Sequence, residues 1–299
     1  MPIIRCHHDS DGVASAFFAS FGYPNHEIEI WDGIFGDTTG LTSGDIMVDM
    51  RPKQNLEGLI VYDHHGPYPE DRKYKLTTAH EPASWICFNE FKDKVPKDEW
   101  WKMAVGVMGD GQPELIPYEV YKECPELFMQ IKTSSYQNYG KWKTSYFPLY
   151  KLLSSKINAL LRLRRYDEAL KTFSEVKRPL DLYMDKECNK AQAKVKSEFS
   201  LIMSSHEGYN FDKLKVCVFD SDVRMTGYVA TVVGSEGDTV LAINRTDGSA
   251  SLRGDLALYW KEKLNHLSYL NIDGHPGFMG ANIIVNPSIL IRDLQDLLN

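Results

Sequence analysis

The stretch HHDSDG, residues 7–12, sets two imidazoles and two carboxylates within five positions. Asp9 and Asp11 are spaced so that both can face one cleft, and Gly12 permits a tight turn into whatever follows. An imidazole with two carboxylates makes a mixed nitrogen and oxygen donor set, suited to Mn²⁺, Mg²⁺, Co²⁺ or Zn²⁺. The same residues also fit an Asp-rich helix cap with incidental histidines. Three further acids close apolar runs: Asp49 in IMVDMRP, Asp63 in IVYDHH and Asp110 in AVGVMGDG. Each alone reads equally well as a turn former. Together His7, Asp9, Asp11, Asp49, His64 and Asp110 exceed what one four-coordinate zinc needs. They suit two cations sharing a carboxylate. Such a pair, roughly 3.5–4 Å apart, activates a water and stabilises both oxygens of a phosphoryl displacement. The ions would also offset the mutual repulsion of four aspartates.

These residues need elements that bring them to one place. PIIRC reads as a strand and GVASAFFASFG as a helix stopped by Gly22. HEIEIWDG, DIMVDM and GLIVYDHH read as three more strands, then PASWICFNEF and EWWKMAVGVMGDG as helices. Short strands interleaved with helices predict an α/β domain with a mainly parallel sheet, in which ligands sit beyond the carboxyl ends of the strands. From about Pro117 to His206 strand signals fade, and a heptad-like apolar stripe from Tyr150 predicts helix. The aromatics between Tyr136 and Tyr150 are expected to pack, with base stacking as the alternative. A second α/β pattern begins near Leu214. The expected architecture is therefore an N-terminal parallel-sheet domain over 1–205, including a helical connecting segment over 118–205. A smaller C-terminal α/β domain over 211–299 follows, with the active-site cleft between the two.

Composition narrows the function classes. With 43% hydrophobic and 25% charged residues the chain matches an ordinary soluble globular protein. A net charge of −7 disfavours a dedicated duplex-DNA binder. The charge is uneven: residues 1–117 hold nineteen acids against ten bases, and 122–200 hold sixteen bases against nine acids. An acidic lobe suits cations and a basic one suits an anionic substrate, although solvated helix faces of mixed sign give the same count. Five scattered cysteines, none in a CxxC pair, fit a reducing compartment without disulfides or a thiolate zinc site. No signal-peptide core or membrane-length apolar run is seen, so a cytoplasmic location is expected.

HxDxDG, an isolated VD, DHH and a glycine-flanked Asp, in that order, resemble the DHH phosphoesterase superfamily. GHPGFMGAN, residues 274–282, resembles the glycine- and histidine-rich signature of the DHH-associated C-terminal domain. SLRG, residues 251–254, looks like that domain's arginine strand. The resemblance implies one metal on His7, Asp9 and Asp49, and another on Asp11, Asp49, His64 and Asp110. It places Asp63 behind an imidazole and His65 at the scissile phosphate, both as catalytic residues. It assigns Arg253, Gly274, His275 and Gly277 to substrate. Asp273 departs from the family, which commonly has more than one glycine before that histidine, so His275 rests on less than the metal ligands. His8 has no role in the pattern.

The implied function is hydrolysis of short oligonucleotides or dinucleotides by a phosphodiesterase with two Mn²⁺ ions, Mg²⁺ or Co²⁺ being substitutes. With about one helix after the second lobe, the extra nucleic-acid-binding domain of larger RecJ-type enzymes is not expected. A RecJ-like single-strand exonuclease, a pyrophosphatase and a non-catalytic nucleotide-binding protein are the alternatives. A homodimer is left open.

Overall fold

A computed structural model describes residues 1–137, 141–234, 237–267, 269–275, 278–283 and 287–298. The chain divides into two compact units, 1–132 with 146–192 and 133–145 with 193–299.

In the first unit β1 (Ile3–Cys6) leads into α1 (Ser10–Gly22), followed by β2 (Glu27–Ile30), β3 (Ile46–Val48), β4 (Ile60–Tyr62) and β5 (Lys75–Thr77). All five strands run parallel in the order β2-β1-β3-β4-β5, with Ile4 beside both Ile28 and Ile46, and Val48 beside Tyr62. A parallel sheet puts every strand's carboxyl end on one edge, which is why residues 7, 49 and 63 become neighbours. The strands are short and apolar because they are covered: Ile4, Ile46, Met47, Val48 and Val61 are fully buried. Two helices, α2 (Ala83–Phe91) and α3 (Lys102–Gly109), pack on α1, where Phe18 meets Phe88 edge to face. Fully burying one such side chain contributes about 1.5–3 kcal/mol.

The 118–205 segment is helical but not wholly so. After α4 (Tyr118–Glu123) come two strands, β6 (Gln130–Gln137) and β7 (Lys141–Pro148), which form a two-stranded sheet. The helical segment expected over 118–205 therefore also contains a strand pair. The reason is legible afterwards: KTSSY and KWKTSYF mix aromatic and β-branched residues with polar ones at short alternation, a strand pattern rather than a helical one. The apolar stripe beyond it also breaks. Arg164, with a φ of 58°, separates α5 (Tyr150–Arg162) from α6 (Tyr166–Glu175). Next come α7 (Pro179–Met184) and α8 (Lys186–Ser205), between which Asp185 Oδ1 accepts from the Cys188 amide at 2.8 Å.

The second unit builds a six-stranded mixed sheet. Its elements are β8 (Glu207–Phe211), β9 (Leu214–Phe219), α9 (Thr226–Val233), β10 (Thr239–Asn244), β11 (Ser249–Arg253), α10 (Ala257–Leu264), β12 (Leu270–His275), β13 (Phe278–Ile283) and α11 (Pro287–Leu298). The strand order is β12-β13-β11-β10-β9-β8; β9 and β10 pair in parallel and the other pairs are antiparallel. One apolar cluster, including Val216, Leu241, Leu252, Trp260 and Leu294, backs the sheet. Among the described residues no helix is long and apolar enough to cross a membrane.

Candidate metal centre

The site begins with α1. Asp9 is its N-cap in extended backbone, and its Oδ1 accepts from the Gly12 amide at 2.9 Å. The other oxygen, Oδ2, lies 2.7 Å from His7 Nδ1. The helix-cap reading and the ligand reading of HHDSDG are therefore compatible, one carboxylate oxygen serving each. Gly12 is required sterically: a Cβ there would stand 2.3 Å from the His7 carbonyl oxygen. Gly12→Ala is accordingly expected to lower stability by about 1–3 kcal/mol through backbone displacement, read as the urea midpoint. Two residues on, Asp11 is fully buried, and its two oxygens accept from the Ala83 and Ser84 amides at 2.8 and 3.0 Å. Those amides open α2, so the helix end anchors Asp11 by its unpaired donors.

Asp49 follows β3 in a left-handed backbone conformation, with a φ of 57°. For a non-glycine residue this costs free energy and is retained where the surroundings impose it. The result is an orientation in which its two oxygens face different partners. Oδ2 lies 3.5 Å from His7 Nδ1, and Oδ1 lies 3.2 Å from His64 Nε2. His64 Nε2 also stands 3.3 Å from Asp110 Oδ2 and 4.0 Å from Asp11 Oδ2. Asp110 occupies the C-terminal cap of α3, ahead of Gly111 at a φ of 71°. Thus His7, Asp9 and Asp49 form one group, and Asp11, His64 and Asp110 a second. Asp49, His64 and His65 make a third, and ligand atoms within each lie within 4.8 Å of one another. His65 turns its Nδ1 to Asp63 Oδ1 at 2.7 Å.

Electrostatics make this cluster costly without a cation. Burial pushes the Asp11 carboxyl up, and the Asp49 and Asp110 charges push it further. Asp110 is raised to about 7 by burial, then by Asp49 and Asp9. Burial would lower His64, but its hydrogen bond to Asp49 and the surrounding carboxylates outweigh it and raise the imidazole to about 10. His7 is likewise held well above its ordinary value, the attraction of Asp9 and Asp49 overcoming burial. Asp63 moves the other way: despite burial, the hydrogen bond from His65 keeps it below the usual carboxylate range. Whether the residues fit a cation is best judged at Asp49 Oδ2, which is buried and accepts no hydrogen bond among the described residues. A buried carboxylate oxygen without a donor is a strong site for a positive charge. The donor set, imidazole and carboxylate only, suits Mn²⁺, Mg²⁺ or Co²⁺.

Three neighbours escaped the sequence reading. Tyr68 donates its hydroxyl to Asp63 Oδ2 at 2.8 Å, and Asn158 Oδ1 on α5 accepts from the Ser10 amide at 2.9 Å. Phe35 stands edge-on to both His7 and His65, with ring centroids 5.3 and 4.9 Å away. Only Tyr68 left a signal, a hydroxyl five residues after a buried acid. His8 lies against the His7 ring at 4.5 Å, its Nδ1 3.0 Å from the Trp31 carbonyl. In the second unit Arg253 ends β11, and a Cβ at Gly227 would lie 3.1 Å from its Nη2, so the guanidinium crosses the first turn of α9. Gly274 and His275 belong to the backbone of β12, and Gly277 lies outside the described residues.

No family model and no curated protein sequence matches the chain. Solved structures do. RecJ from Thermus thermophilus, in complex with Mn²⁺, superposes at a TM-score of 0.65 and 14% identity over 99% of this chain. The match takes in 51% of RecJ, so the present chain spans about half the length of that protein. The DHH domain of a member of the s1p family of ribosomal proteins matches at a TM-score of 0.65 and 11% identity, over 99% of this chain and 85% of that one. The pGpG-specific phosphodiesterase PggH from Vibrio cholerae matches at 0.50 and 10% identity, over 99% of both chains. With its parallel five-stranded sheet, its helices and its second sheet domain, the chain has the fold of the DHH superfamily.

Proposed function

We propose that this chain is a Mn²⁺-dependent phosphodiesterase that hydrolyses dinucleotides and short oligonucleotides. The observation that carries the reading is Asp49, which offers one oxygen to the His7–Asp9 side and the other to the His64 side. A bridging carboxylate between two donor groups is what a two-cation phosphoryl centre requires. His7, Asp9 and Asp49 hold one ion, and Asp11, Asp49, His64 and Asp110 the other. Bound there, the two cations supply a nucleophile from water and neutralise charge on the phosphate. Asp63 holds the His65 ring, and His65 stabilises the phosphate or protonates the leaving oxygen. On the sequence resemblance, Arg253 suits a bidentate phosphate contact, and Gly274, His275 and Gly277 are the residues assigned to a terminal phosphate or base. The similarity to a Mn²⁺-bound RecJ and to a pGpG-specific phosphodiesterase supports this chemistry. A net charge of −7 gives little grip on a long polyanion, which favours a short substrate.

Purified protein with Mn²⁺ is to be given a linear dinucleotide, a cyclic dinucleotide and a long single strand, with products resolved by size. The expected result is cleavage of the linear dinucleotide, abolished by chelator and falling off as the substrate lengthens. Processive release of mononucleotides from the long strand would replace this reading with a RecJ-like exonuclease. Absence of turnover on all three would leave a nucleotide-binding protein.

A further inference from the structure

The proposed reaction uses His65 and Asp63, but the hydrogen bonds around them continue outward. Asp63 is fully buried; its Oδ1 meets His65 Nδ1 at 2.7 Å, and its Oδ2 accepts from the Tyr68 hydroxyl at 2.8 Å. The Tyr68 oxygen in turn receives the Thr78 hydroxyl at 3.4 Å. The donors therefore all point toward Asp63. With Oδ2 taken by the Tyr68 hydroxyl, Oδ1 is the oxygen that meets His65 Nδ1.

We propose that Tyr68 is a positioning residue for the reaction, acting on His65 through Asp63. Asp63 could turn about its own side chain and still bond His65 through either oxygen. Pinning Oδ2 with the Tyr68 hydroxyl removes that freedom and sets the plane in which Oδ1 meets the imidazole. The strand frame reinforces this, because the Asp63 amide bonds the Thr77 carbonyl at 3.2 Å, next to Thr78. Tyr68 is half-buried and reaches the site from the loop after His65. The proposal rests on the assignment of His65 in the reading above.

The test is Tyr68→Phe, which removes one oxygen and keeps the ring, alone and combined with His65→Ala. Outer partners of this kind are typically worth about 10–100-fold. The expected result is a drop in kcat of roughly tenfold or more with KM unchanged, and no further loss in the His65→Ala background. An unchanged kcat, or the same fractional loss with His65 absent, would overturn the proposal. A second readout does not depend on turnover: ¹⁵N-resolved imidazole spectra of the Mg²⁺-loaded protein should show the His65 Nδ1–H resonance shifted or lost in Tyr68→Phe. An unaltered resonance would also overturn it. If no phosphodiester is hydrolysed by wild-type protein, the functional reading fails while these spectra still decide the role of Tyr68.

Discussion

Asp49→Asn is expected to lower Mn²⁺-dependent turnover of a dinucleotide by more than about a hundredfold, beyond the loss seen for outer partners of metal ligands. The substitution keeps shape and removes only the charge. Asn tolerates the left-handed backbone that residue 49 adopts, so the fold should survive where Ala would strain it. Because both oxygens of Asp49 face partner groups, the loss is expected to weaken both ion sites rather than one. Thermal melts supply the second measure. A ligand at a hundred times its dissociation constant stabilises a protein by about 2.7 kcal/mol, and that gain should disappear in Asp49→Asn. A variant that kept its Mn²⁺-induced shift and most of its turnover would remove Asp49 from the bridging position.

The metal-free protein is expected to become less stable as pH rises from about 5 to 9, and the gain from Mn²⁺ to grow over the same range. Asp110 ionises at about 7 in the folded chain against 3.8 ordinarily, so between those values the folded state binds more protons than the unfolded one. His64 repeats this between 6.5 and about 10. In both cases excess proton binding by the native state means that stability falls with pH. Asp63 and Asp9 have the opposite sign, but their effect is confined to pH values below the ordinary carboxylate range. Cations bind the deprotonated groups, so loading the proposed centre would displace protons held on His7 and His64 and part of those on Asp11 and Asp110. Displacing one proton corresponds to about a tenfold rise in apparent affinity per pH unit. Melts with and without Mn²⁺ at about pH 6, 7 and 8 test both trends. A Mn²⁺ gain that shrank with pH would mean that these groups do not hold the ions.

Much of the site could be read from residue order because each acid follows a short apolar run, and a parallel sheet collects such strand ends on one edge. Residues 7, 49 and 63 fall there by topology alone. Asp110 needed more, since it arrives from the end of α3, a helix that packs on α1. The strands of the second sheet were legible where apolar runs were long, as in KLKVCVF and TVLAIN. The short edge strands Lys75–Thr77 and Glu207–Phe211 were not, because polar letters dominate them. The β6–β7 pair carries a strand pattern, but a short one set among helical neighbours, so it was read with them. The break at Arg164 has no sequence mark, since a positive φ at an arginine reflects packing rather than propensity.

The same division runs through VYDHHGPY. Residue types and spacing put an acid and two imidazoles at this strand end in a chain with other acids after apolar runs, a set that could hold a cation. Which imidazole faces which acid was settled by folding. His64 turns to Asp49, Asp11 and Asp110, while His65 turns to Asp63, its neighbour two positions back, and Tyr68 closes the other side of that carboxylate. Adjacent side chains at a strand end point in different directions, so spacing alone leaves their partners open. Long-range packing of the sheet and α2 and α3 selects among them, because a buried carboxylate is tolerated only where a donor or a cation meets it.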